Sequence, residues 1–89
     1  MRETNPLSGK DTRSVIAATV RAELARANVS GSQMAQRIGV AESSFSRRAT
    51  GEVSFSAEEI LAIATELGIP SATFLERALA VDLTPASAA

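Results

Sequence analysis

The chain has 89 residues, enough for one small domain that buries about 60 to 70% of its unfolded surface, with no room for a second. It contains no cysteine and no histidine, which argues against a disulfide framework, a thiolate or imidazole metal site, a bound cofactor of that kind and a histidine-based catalytic dyad. It has neither the apolar N-terminus of a secretory signal nor any apolar run near the ~20 residues of a membrane span, so it reads as a cytoplasmic protein without a membrane partner.

Net charge is only -1, a weak argument against nucleic acid on its own. The total hides an asymmetry. Residues 1–50 carry eight basic side chains against four acidic ones, whereas residues 51–89 carry Arg77 alone against six acids. One end is suited to meet an anion, and the other to face solvent or a partner.

Residues 1–10 lack periodicity and contain Asn5-Pro6 and Ser8-Gly9, the marks of a flexible arm. Asp11 or Thr12 can cap a first helix in which Ile16, Val20 and Leu24 recur at four-residue spacing, ending near Asn28. Ser30 and Gln33 have the spacing of a capping box for a second helix, with Met34, Ala35 and Ile38 on its inward stripe and Gly39 as its left-handed stop. A third helix spans about Ala41 to Ala49, closed by Thr50-Gly51. Ser56 and Glu59 repeat the capping box for a fourth, whose Ile60, Ile63, Ala64 and Leu67 lead to Gly68. Pro70-Ser71 can start a fifth, with Phe74, Leu75 and Leu79 as apolar positions. The expected organisation is an all-α domain of five short helices over residues 11–81, with residues 82–89 as a disordered tail.

The second and third helices are joined by "GVA", a short glycine-containing turn with the spacing of a helix-turn-helix. From about Thr12 to Leu79 the chain resembles the phage-repressor and Cro type of DNA-binding domain, the XRE-like or lambda-repressor-like helix-turn-helix family. Met34-Ala35, Ile38-Gly39-Val40, Phe45, Gly51 and the segment "ILAIATELGI" carry the likeness. It implies a compact five-helix fold, double-stranded DNA as partner, and a third helix that enters the major groove.

At about 100° per residue, Ala41, Phe45 and Ala49 stack on one face of the third helix, which must be the buried one. Ser43 and Arg47 then point away, with Glu42 and Ser46 to one side and Ser44 and Arg48 to the other. Arg47 can present its fork to the two acceptors of guanine, Ser43 and Ser46 permit close approach to base edges, and Glu42 can accept from cytosine or simply favour the helix dipole. Candidate phosphate contacts are Lys10 and Arg13 from the arm or first helix, Ser30 and Gln33 at the second helix's start, and Ser44, Arg48 and Thr50 around the third.

Two departures from the family stand out. Many relatives have a glutamine where this chain has Gly31, and many bury an Arg–Glu pair at positions that align with Leu24 and Ala49. Losing both charges together avoids an orphaned buried charge, and it predicts that Leu24 lies beside Ala49 or its neighbours.

The expected function is sequence-specific regulation of transcription by a small phage or prophage repressor or Cro-like protein. It would act as a homodimer on an inverted-repeat operator, with Ile69, Leu75, Leu79 and Val81 as candidate interface. An antitoxin, binding operator DNA and also a toxin through acidic residues within 52–82, is the alternative, and a co-purifying basic partner would distinguish it. An enzyme fits poorly, because no nucleophile and base are paired. An RNA-binding module also fits poorly, because three phenylalanines without Trp or Tyr offer little for bases to stack on.

Overall fold

The computed structural model describes the backbone of residues 9–83 and the side chains of residues 12–79. Five helices follow one another: α1 (Gly9–Ala27), α2 (Gly31–Ile38), α3 (Glu42–Ala49), α4 (Ala57–Leu67) and α5 (Ser71–Leu83). Among the described residues no strand occurs. The all-α architecture read from periodicity is the architecture found.

Two boundaries differ from expectation. The first helix begins at Gly9, so Lys10 lies in a helix and not in an arm; no proline after Pro6 stops the helix from extending past the capping candidates Asp11 and Thr12. The last helix continues through Asp82 to Leu83, taking two residues assigned to the tail. The expected arm over residues 1–8 and tail over residues 84–89 lie outside the described residues.

Three of the helix ends use one device. After α1, α2 and α4 comes a residue in the left-handed region, Asn28 (φ 58°), Gly39 (φ 76°) or Gly68 (φ 72°). A β-branched apolar residue follows each, and its N–H reaches back to a carbonyl: Val29 to Leu24 at 2.9 Å, Val40 to Ala35 at 2.9 Å and Ile69 to Ala64 at 3.0 Å. This is the Schellman closure, in which the orphan carbonyls are satisfied and the next side chain is turned inward. Val29, Val40 and Ile69 all pack against the core.

The core forms where the helices converge. Val20, Met34, Phe45, Ile63 and Phe74, one from each helix, are its largest fully enclosed side chains. The rings of Phe45 and Phe55 meet edge to face, 5.5 Å between centroids and 69° between planes, a geometry that adds about 0.5–1.5 kcal/mol to the area buried. Phe55 immediately precedes the cap of α4 and Ile60 lies four residues into that helix. Both are buried, as a hydrophobic staple requires.

One buried group was not foreseen from sequence. Glu23 on α1 is only 4% exposed, and its carboxylate accepts from Arg77 of α5 at 2.6 Å and from Arg26 at 3.4 Å. The signal was present. Glu23 is three residues past Val20 and Arg77 three past Phe74, so both project from the inward stripes of their helices.

Candidate nucleic-acid interface

Helices α2 and α3 pack directly on each other across Gly39, Val40 and Ala41. The turn depends on Gly39: a β-carbon there would have open space around it, so the cost of any other residue is the positive φ alone. At its start, α2 closes the capping box expected of it. Ser30 Oγ accepts from the Gln33 N–H at 3.0 Å, and Gln33 Oε1 accepts from the Ser30 N–H at 2.8 Å. The Gly31 and Ser32 N–H groups, in the first turn, have no intrahelical acceptor and stay available to an anion.

Helix α3 has the expected rotation about Phe45, but Ala41, expected on the buried face, is its exposed N-cap, and Ala49 is half-buried. Phe45 is buried, Glu42, Ser43, Ser46 and Arg47 are exposed, and Ser44 and Arg48 are half-buried along one flank. Arg47 is 63% exposed and its Nε lies 3.8 Å from Glu52, itself 65% exposed, a loose surface pair that constrains the guanidinium little.

The carbonyl end of α3 is held in part by α1. Its N-cap, Ala41, makes no side-chain bond. At the other end, Arg21 of α1 donates to the Ala49 carbonyl, Arg13 donates to the Gly51 carbonyl at 3.3 Å, and the Thr50 hydroxyl donates to the Arg47 carbonyl at 3.0 Å. Cationic donors at the carbonyl end of a helix also complement its dipole. Gly51 takes a left-handed φ of 89° where this end meets α1; a β-carbon there would make only ordinary contact with Ser14 and Ala17, so the positive φ is what favours glycine.

Several expected contacts have other partners. The Arg48 Nε donates to Glu59 at 3.1 Å and its Nη1 donates to the Ser44 carbonyl at 3.0 Å, with the side chain only 25% exposed. Arg48, expected at a phosphate, is thus bonded within the protein in the DNA-free fold. Arg13 is turned to Gly51, and the side chains of Ser30 and Gln33 each accept from the other's backbone N–H. The side chain of Lys10 lies outside the described ones. Ile69 is half-buried against the core, whereas Leu75 and Leu79 are 49% and 43% exposed on the outer side of α5. The side chain of Val81 is not described. Leu61 of α4, 51% exposed, is an apolar surface residue that the sequence pattern did not single out.

Leu24 and Ala49 join the same core, and they also line one groove of about 460 Å³ between α1, α2 and α3. Gly31 and Phe45 line it as well. Leu24, Gly31 and Ala49 thus line one groove where α1, α2 and α3 meet. Among the described residues no group of three acidic side chains is placed to hold a metal ion, and no helix is long and apolar enough to cross a membrane.

No family model matches the sequence, and no curated protein matches it either. Among solved structures, a crystal structure of the clp gene regulator ClgR from Corynebacterium glutamicum is similar. It has a TM-score of 0.76 and 23% identity, and covers 84% of this chain and 80% of that one. The fold is similar to that of ClgR. A second ClgR crystal structure has a TM-score of 0.71 at 23% identity, over 78% of this chain and 90% of that one. At this identity the likeness to ClgR concerns the arrangement of helices, in agreement with the five-helix architecture read from the sequence.

Proposed function

We propose that this protein is a sequence-specific regulator of transcription that binds double-stranded DNA, with α3 in the major groove and no enzymatic activity. The observation that carries the reading is the outward face of α3. Glu42, Ser43, Ser46 and Arg47 are all exposed on one side of a helix whose opposite side is anchored by buried Phe45. Two short serines and one acid around one long planar cation suit close approach to base edges and bidentate recognition of guanine. The free N–H groups at the start of α2 suit a backbone phosphate beside that groove. The likeness in fold to a gene regulator is in keeping with this reading.

In finer detail, the protein acts as a small repressor of the phage or Cro type. Two copies meet through exposed Leu75 and Leu79 and read an inverted repeat, with recognition helices about 34 Å apart and half-site centres ~10 bp apart. Sedimentation on operator DNA tests this: a dimer is expected, and a species with one chain per duplex would overturn it.

The decisive experiment is a binding selection on random duplexes, which is expected to return one palindromic site. Arg47→Ala is expected to weaken that site by ~1–3 kcal/mol and to relax preference at one base pair. Uniform binding to all duplexes by the parent chain would overturn the reading of α3.

A further inference from the structure

Helices α2 and α4 begin with the same capping box, but the acceptor at its third position is Gln33 in one and Glu59 in the other. Both side chains accept from the cap's N–H at 2.8 Å, and both caps accept from the third residue's N–H at 3.0 Å. Capping is therefore served equally well by the amide and by the acid. What distinguishes Glu59 is a second bond, because the same oxygen, Oε1, also accepts from Arg48 Nε at 3.1 Å. The pair is sheltered, with side chains 25% and 18% exposed, so solvent screens it less than it screens the Arg47–Glu52 pair.

The pair's location matters more than its strength. Helix α3 packs on α1 and α2, while α4 packs on α1, α2 and α5, so the Arg48–Glu59 bond ties α3 directly to α4. Arg48 also grips its own helix through the Ser44 carbonyl at 3.0 Å, which limits the freedom of the guanidinium. Besides its packing on α2, α3 is held by Phe45 on its inner face, by Arg13 and Arg21 near its carbonyl end, and by this bond on its flank, with no side-chain cap at Ala41. A small change in tilt moves Ser43, Ser46 and Arg47 together, since all three project from the same rigid helix.

Resting on the DNA-binding reading above, we propose that Arg48 is a positioning residue. Held by Glu59, it fixes the orientation of α3 and thereby contributes to sequence discrimination without touching DNA. The charge at position 59 exists for this bond, because capping alone does not require it.

The two possible roles of Arg48 give opposite outcomes for Glu59→Gln, a substitution that keeps the capping box in the form α2 already uses. Arg48→Ala, Glu59→Gln and the double variant are each titrated with the selected site and with a scrambled duplex at several salt concentrations. A thermal melt of each variant confirms that it is folded. A positioning role predicts that each single variant loses affinity for the selected site by on the order of tenfold, and that the double loses no more than the larger single effect. Binding to scrambled duplex and the salt dependence stay as in the parent. A phosphate contact predicts instead that Arg48→Ala weakens all duplexes and makes the salt slope shallower by about one, while Glu59→Gln leaves binding unchanged or strengthens it. That pattern would overturn the proposal, and so would unaltered selectivity in both single variants.

Backbone amide shifts of Ser43 to Arg47 in DNA-free Glu59→Gln supply a separate readout. They are expected to move, and shifts identical to the parent's would overturn the tie. If the parent bound no duplex, the DNA-binding reading would fail, and those shifts would still decide whether Glu59 holds α3 in place.

Discussion

In α2 and α4 the chain enters the helix at a serine whose hydroxyl bonds the third N–H, and leaves it at a left-handed glycine followed by a buried-side Val40 or Ile69. In α3 it enters at Ala41, which makes no side-chain bond, and leaves through Thr50 and Gly51 to an exposed Glu52. The first two helices carry their own start and stop signals. The third relies on its neighbours: the core and α2 around its Phe45, Arg13 and Arg21 from α1, and Glu59 from α4. A helix of only eight residues is marginal without such support, and its outward side is occupied by small polar residues that suit contact more than stability. The contrast teaches that the surface suited to recognition is less self-sufficient than α2 or α4, and that its geometry is borrowed from α1, α2 and α4.

The most severe way to break this arrangement is to attack the support itself. Leu24→Arg places an unpaired cation in the buried contact between α1 and α3 and is expected to cost about 3–5 kcal/mol. A thermal melt unchanged by it would show that α1 does not support α3 there.

A smaller loss, about 2 kcal/mol, is expected from Arg77→Ala, which removes the shorter of the two bonds to buried Glu23 but leaves Arg26 in place. Because this tie joins α1 to α5, denaturant titration is expected to report lower stability while the amide shifts of α3 in the folded state hardly change. Large shifts in α3 would mean that its support extends further than α1 and α4.

The two capping boxes allow a closer comparison. Ser30→Ala and Ser56→Ala are each expected to cost about 1 kcal/mol. Only the second is expected to disturb the side chain of Arg48, since Glu59 serves both the cap and the arginine; relaxation or shift data at the Arg48 Nε would report the difference.

The smallest effect expected is a gain. Gly31→Ala puts a methyl 3.5 Å from the Phe45 ring, an ordinary contact distance, at a helical position where φ is not positive. Stability is expected to rise by about 0.4–1 kcal/mol through reduced freedom of the unfolded chain. A lower melting temperature would indicate that the space beside Phe45 is tighter than it looks.

How much was legible in the sequence follows the same division. The starts and stops of α2 and α4 were readable because they depend on residues within four positions of each other, Ser30 with Gln33 and Ser56 with Glu59. The rotation of α3 was readable because one aromatic among small polar residues leaves a single face to bury. Leu24 and Ala49 were both expected where α1 meets α3, and both line the groove there.

The sequence alone therefore determined the helix count, the helix-turn-helix spacing and which side of α3 faces outward, all consequences of short-range bonding and of the 3.6-residue period. It did not determine the partners of long charged side chains. Arg13, Arg21, Arg48, Glu59, Glu23 and Arg77 each had several plausible partners in sequence, and their ends lie far from their own backbones. Only the approach of α1 to α3, of α4 to α3 and of α5 to α1 decided which of them hold the protein together and which, like the loosely paired Arg47, stay exposed.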